Sequence, residues 1–196
     1  MKTVRGVAMV AAAVALLAIA VRPVVAATMQ PRSDERIVAC PAATAEQKAG
    51  ADYVVAGTAD DEINNALTDI GAAGSVLVVG GNCDLAAPVR LRTGTRLHCD
   101  SLGTALRASV AVDVVVLDNV SVERTSLDHC TVNGNKFVVG GPGRGIVIDN
   151  TNGSFEYNDP FVVVSDVVVK NTGGDGVWVS ARSRATRLDR VRVALP

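Results

Sequence analysis

Asp149 and Asp175 are the acidic residues whose placement could do chemistry. Each flanks a valine-rich stretch, GIVID (145–149) in one case and GVWVS (176–180) in the other. Cleavage of a glycosidic bond needs two carboxyl groups held in one cleft, one as acid and one as nucleophile or base. The plainer reading makes both residues part of a turn or strand end. Trp178 stands beside Asp175 in NTGGDGVWVS (171–180) and is the sole tryptophan. If Val177 and Val179 point inward, strand alternation sends its indole outward. An outward indole can stack on the apolar side of a sugar ring and offer its N–H as a donor. The competing reading has it covered by an insertion at 150–161, which carries Phe155, Tyr157 and Phe161.

The remaining reactive residue types are few. Cys40, Cys83, Cys99 and Cys130 lack the CxxC rhythm of a zinc site, so no metal centre is expected from them. An even number in an exported chain reads as two disulfides, for which four cysteines allow three pairings. Export is read from the first 27 residues. Lys2 and Arg5 precede an apolar run at 6–21, and RPVVAA then offers small residues for cleavage after Ala26 or Ala27. The alternative is an uncleaved anchor, since the run is only slightly short of a membrane span. Cleavage leaves a secreted chain, extracellular or periplasmic, with no further membrane segment. Three of the 19 Lys and Arg lie in the leader, so the remainder carries 16 against 20 Asp and Glu. That balance excludes a nucleic-acid footprint, which needs a clustered basic excess.

The elements that must position these side chains change character along the chain. Residues 28–49 are polar and Ala-rich without sustained periodicity, and read as an extended N-terminal arm pinned by Cys40. In TADDEINNALTDIGAAG, Thr58 offers a helix cap and Asp60 and Asp61 suit the first turn. Ile63, Ala66, Leu67 and Ile70 recur at helical spacing and Gly71 supplies a stop, which predicts one short helix near 59–70. Beyond it come short Val-rich stretches split by Gly, Asn, Asp and Thr, with no second helix. Self-alignment places Val167 over Val191, Val169 over Val193 and Asp166 over Arg190. It also places Ile146 and Ile148 over Val177 and Val179, and HCTVNGN (129–135) over DVVVKNT (166–172). A recurrence in the low twenties of residues is the mark of a solenoid.

The stretch TADDEINNALTDIGAAGSVLVVGGNCDLAAPVRLRTGTRLHC, with TALRA (104–108) and CTVNGN (130–135), resembles secreted right-handed parallel β-helix proteins of the pectin-lyase-like superfamily, which includes pectate lyases and tailspike-like proteins. The resemblance spans roughly residues 50–196 and concerns architecture more than chemistry. It implies an all-β solenoid over 50–196 whose open N-terminal end is capped by the single helix. A β-sandwich is the alternative fold. RVRVALP ends the chain in what reads as mid-stack, so the expectation is either truncation or self-association through an uncapped C-terminal end. In the stacked register TRLHC and DHCTV are neighbours, pointing to Cys99–Cys130, with Cys40–Cys83 then tying the arm to the first coil. The connectivity stays open at this point.

The resemblance also implies a chemistry to look for. NTGGDG departs from the N-T-D-G of polygalacturonase-type hydrolases at its third position, and neither His98 nor His129 stands in a G-H-G. A pectate-type lyase needs a calcium cluster of carboxylates and an arginine base. Asp166, Asp189, Arg190 and Arg192 lie on matched positions, but stacking pairs Asp166 with Arg190 as an ordinary surface ion pair. Calcium is left open as a cofactor with no residues arguing for it. The expectation is therefore an exported β-helix protein engaging extracellular polysaccharide or a cell-surface glycan, without a complete recognisable catalytic set. If it is active, it is a polysaccharide lyase or glycoside hydrolase. The alternative is a non-enzymatic structural or adhesion module.

Overall fold

The computed structural model describes residues 34–118, 125–149, 162–181, 183 and 186–194. The leader read at 1–27 and the insertion read at 150–161 lie outside the described residues. The segment read as an extended arm is, from Glu35 onward, part of the folded body. ERIVA forms β1 (Glu35–Ala39), and α1 (Ala45–Ala49) follows within a few residues. Thr44 and Gln47 close a capping box around the start of α1, each side chain accepting from the other's backbone N–H. After β2 (Tyr53–Val54) comes α2 (Asp60–Asp69), the helix read near 59–70.

The start of α2 corrects one detail. Thr58 does not cap it; Ala59 holds the N-cap position with no side-chain hydrogen bond. The first turn is fixed by the neighbouring coil instead. The Ala59 N–H donates to the Asp84 carbonyl at 2.7 Å, and the buried Asp60 carboxylate accepts from the Ala86 N–H at 2.9 Å. Ile63, Ala66 and Leu67 then face the core and are wholly buried.

From Ser75 the chain repeats a cycle of short strands. The first coil is β3 (Ser75–Val79), β4 (Asn82–Leu85) and β5 (Val89–Arg90). The second is β6 (Arg96–Cys99), β7 (Ala105–Ala108) and β8 (Val115–Asp118). The third is β9 (Thr125–Asp128), β10 (Thr131–Asn133) and β11 (Ile146–Asp149), with the one-turn α3 (Lys136–Val139) before β11. The fourth is β12 (Val162–Ser165), β13 (Val168–Lys170) and β14 (Val177–Val179), and β15 (Thr186–Asp189) and β16 (Arg192–Ala194) begin a fifth. Each coil adds one strand to each of three sheets, ordered β15-β12-β9-β6-β3-β1-β2, β16-β13-β10-β7-β4 and β14-β11-β8-β5. Every strand pairing among the described residues is parallel, which removes the sandwich of antiparallel sheets.

Parallel register turns the inward residues into columns. Val76, Leu97, Leu127 and Val164 stack in the first sheet, Cys83, Leu106, Val132 and Val169 in the second, and Leu117 and Ile148 in the third. All are buried in one core that the inner faces of the three sheets share with α2. Asp84 and its partner one coil on are 23 residues apart and Asp166 and its partner 24, while Asp113 and its partner are 31 apart because α3 lengthens that coil. Two disulfides, Cys40–Cys83 and Cys99–Cys130, join successive levels of the stack. A smaller cluster of Ile37, Ala39, Ala43, Leu77 and Val79 covers the outer face of the first sheet beside β1.

The corners repeat from coil to coil as the strands do. Asn135 and Asn171 take left-handed backbone at the turn after the second sheet, as Asn and Gly readily do. At the turn after the first sheet the same conformation falls to His129, Asp166 and Arg190, at φ of 57°, 52° and 50°. These three stack one above another; His and Asp adopt this conformation more readily than most residues, and Arg190 takes it through its place in the stack.

The columns make a direct prediction. Leu127→Ala, in mid-column, should cost about 2–5 kcal/mol in urea unfolding. Phe137→Ala on α3, where the ring is 72% exposed, should leave the urea midpoint within experimental error.

Candidate functional site

The third sheet and the corner that precedes it hold the residues singled out for chemistry. The corner before β14 is built by close backbone approach. Gly173 and Gly174 both donate their N–H to the Gly143 carbonyl, and a Cβ on Gly173 would overlap the Gly141 carbonyl below. Gly145 donates to the Asp175 carbonyl and Ile146 to that of Gly176, which locks this corner onto the one before β11. The glycines of NTGGDG are thus a packing requirement of two stacked corners. Asp175 is held in the turn by its main chain, with an exposed side chain.

The same stacking assembles a charged rung. The Val114 N–H donates to the Arg144 carbonyl as that of Gly145 does to Asp175, so Asp113, Arg144 and Asp175 occupy equivalent places in three coils. Arg144 is bound to Asp113 through Nε at 3.2 Å and Nη2 at 2.8 Å, and its own backbone N–H donates to the same carboxylate at 2.8 Å. The Arg144 guanidinium then lies 4.7 Å from the centre of the Trp178 ring, within cation–π range. Trp178 is half-buried and, between Val177 and Val179, follows the outward row of β14, opposite Val147.

Electrostatics tie the carboxylates to this arginine. The Asp113 hydrogen bond holds the Arg144 pKa above its ordinary value against the opposing effect of burial, and the charges of Asp113, Asp175 and Asp149 add to it. For Asp113, burial pushes upward most strongly. The Arg144 side-chain and backbone hydrogen bonds, with the charges of Arg144 and Arg90, outweigh it and leave the carboxyl below its usual range.

Asp149 and Asp175 both add to the field on Arg144, but they are not a pair. Asp149 closes β11, whereas Asp175 precedes β14, so they stand toward opposite ends of two adjacent strands. The Asp149 Oδ1 is shielded and has no hydrogen-bond partner among the described residues. Asp166 and Arg190 form a bidentate ion pair at 2.6 and 2.7 Å, which raises the arginine pKa and lowers that of the aspartate. Asp189 is bound to Arg190 at 3.0 Å, and Arg192 stands opposite Val168. Among the described residues no three His, Cys, Asp or Glu side chains are grouped to hold a metal ion.

Two groupings escaped the sequence reading. Arg144 and Asp113 are one. Their signal is an Asp followed one coil later by an Arg, the relation that Asp84–Arg107 and Asp166–Arg190 share. The other lies on the outer face of the first sheet, where Glu35 Oε1 accepts from the Ser75 hydroxyl and lies 3.0 Å from His98 Nε2. Because the carboxylate sits between them, the histidine does not activate the serine, and the grouping ties β1, β3 and β6 together. No helix among the described residues is long and apolar enough to cross a membrane. No family model, curated protein or solved structure matches the chain.

Asp113→Asn tests the charged rung. A carboxyl whose folded pKa is depressed stabilises the fold above its unfolded pKa and loses that contribution as pH falls through the folded value. The parent protein should therefore lose urea stability more steeply below about pH 4 than the variant does. At neutral pH the variant should also change the emission of Trp178. Unchanged emission would show that Arg144 keeps its place without Asp113.

Proposed function

We propose that the chain is an exported right-handed parallel β-helix of the pectin-lyase-like kind that binds extracellular polysaccharide at the Trp178–Arg144 end of its third sheet. The observation that carries this reading is the pairing of Trp178 with Arg144 on a rigid ladder. An indole on a β face offers flat apolar area for the C–H side of a pyranose. A guanidinium has five N–H donors, of which Asp113 engages Nε and Nη2. Both groups are positioned before any ligand arrives, which lowers the entropy cost of binding.

Several features support the reading without carrying it. Three parallel sheets of short strands, one strand per coil in each, are compatible with a β-helix. Two disulfides suit an oxidising, extracellular or periplasmic compartment. The separation of Asp149 from Asp175 favours a binder over a hydrolase, because neither can act as the other's partner across one bond. The second reading, a structural or adhesion module, draws on the same pair: the guanidinium already occupies one face of the indole.

The test is retention on a panel of acidic and neutral polysaccharides by affinity electrophoresis, with assays for unsaturated products and new reducing ends. We expect retention by at least one glycan, weakened about tenfold by Trp178→Ala, which corresponds to about 1.4 kcal/mol. Unsaturated products would mark a lyase and reducing ends a hydrolase. Absence of both retention and product across the panel would leave the structural module.

A further inference from the structure

The charges around Trp178 discriminate among glycans. The positive group that meets the indole is the Arg144 guanidinium, 4.7 Å from the ring centre. That charge is already matched. Asp113 accepts hydrogen bonds from Nε, Nη2 and the backbone N–H of Arg144, at 3.2, 2.8 and 2.8 Å. A uronate or sulfate group could claim the same fork only by displacing Asp113. The displaced carboxylate, itself partly buried, would then lack its counter-ion.

The next coil adds to that barrier. Asp175 stands one rung from Arg144, about 4.8 Å along the stack. Asp149 is near enough for its charge to act on Arg144, as that of Arg90 acts on Asp113. Among the described residues three carboxylates thus stand against two guanidiniums, and the balance is negative. An anionic chain laid on Trp178 would bring like charge against Asp175. An uncharged sugar meets no such repulsion. Its C–H face suits the indole. Its hydroxyls can donate to the Asp175 carboxylate in charge-assisted hydrogen bonds. They can also accept from Nη1 of Arg144, which Asp113 does not engage. A hydroxyl is donor and acceptor at once, and this rung offers it both complements.

We propose that the glycan taken at this site is an uncharged, hydroxyl-rich polysaccharide, and that Asp175 sets this preference by accepting hydroxyls and turning polyanionic chains away. The proposal rests on the reading of Trp178 and Arg144 as a glycan site and names the class of chain that the site admits.

Affinity electrophoresis of the full chain on matched polymers reads the outcome. The pairs are dextran and dextran sulfate, methyl-esterified and free polygalacturonate, and glycol chitin and cationic glycol chitosan. Galactomannan, xyloglucan and a mixed-linkage glucan complete the neutral arm. We expect at least one neutral chain to bind about tenfold or more tightly than every anionic one, and added salt to leave that binding unchanged. Asp175→Asn should weaken neutral binding and narrow the gap. Asp175→Lys should strengthen retention by the anionic chains about tenfold or more. Asp61→Lys, an exposed position on α2 that alters the net charge equally, should give no such gain. Circular dichroism and urea midpoints confirm that each variant is folded. Anionic or cationic chains retained as tightly as neutral ones, or an equal gain from Asp61→Lys, would overturn the proposal and leave glycan binding standing. Retention by no chain would end the glycan reading and this proposal with it.

Discussion

Parallel register between coils is the constraint on which this molecule depends. Each short strand has too few residues to stand alone, and its backbone groups are satisfied only by the coils above and below. Because side chains alternate, a slip of one residue would turn Leu97, Leu127 and Val164 outward together. Among the described residues extra length is therefore admitted at corners. The insertion carrying α3 falls between β10 and β11, and both strands keep register with β13 and β14. The disulfides obey the same rule, since each of the four cysteines is nearly or wholly buried and each bond joins levels that register already brings together.

The outer faces inherit that register in charged form. Asp84–Arg107, Asp113–Arg144 and Asp166–Arg190 each place an arginine one coil after an aspartate, and Arg96–Asp128 reverses the order. Partly exposed pairs of this kind add little stability individually. Their effect is on geometry, because a bidentate carboxylate fixes the plane of the guanidinium it holds. At Arg144 that plane is laid against Trp178, so the candidate site is a product of stacking rather than of a dedicated loop.

This dependence explains what could and could not be read from the sequence. The pairings of Val169 with Val193 and of Ile146 with Val177 follow from the alternation of branched apolar residues that the paired strands share, even where an insertion separates them. The α2 helix follows from Ile63, Ala66 and Leu67. The strand β1 does not, because ERIVA is short and its register partner SVLVV lies some 40 residues away, past two helices. The start of α2 was equally hidden, since the acceptor for Ala59 is the carbonyl of Asp84. The Asp113–Arg144 rung was hidden because the pair is 31 residues apart and stands at a corner, where no alternating strand pattern is there to align. Trp178 was legible as outward-facing, and the guanidinium beside it was not.

The rung also bears on what the carboxylates can do. Residues at equivalent places in successive coils stand about 4.8 Å apart, so Asp113 and Asp175, two coils apart, are separated by about 10 Å with Arg144 between them. The hydrogen bonds from Arg144 hold the Asp113 carboxyl below its usual range against the upward push of burial. An aspartate kept below its usual pKa, as Asp113 is, makes a poor general acid at neutral pH, because it carries no proton to give. A carboxyl dyad on such a face would need one member raised by burial or by a like charge, with nothing positive in between. Here Asp113 holds the Arg144 guanidinium and the guanidinium lies over the indole, so the arrangement fits the proposed binding of a glycan and offers no carboxyl dyad of its own.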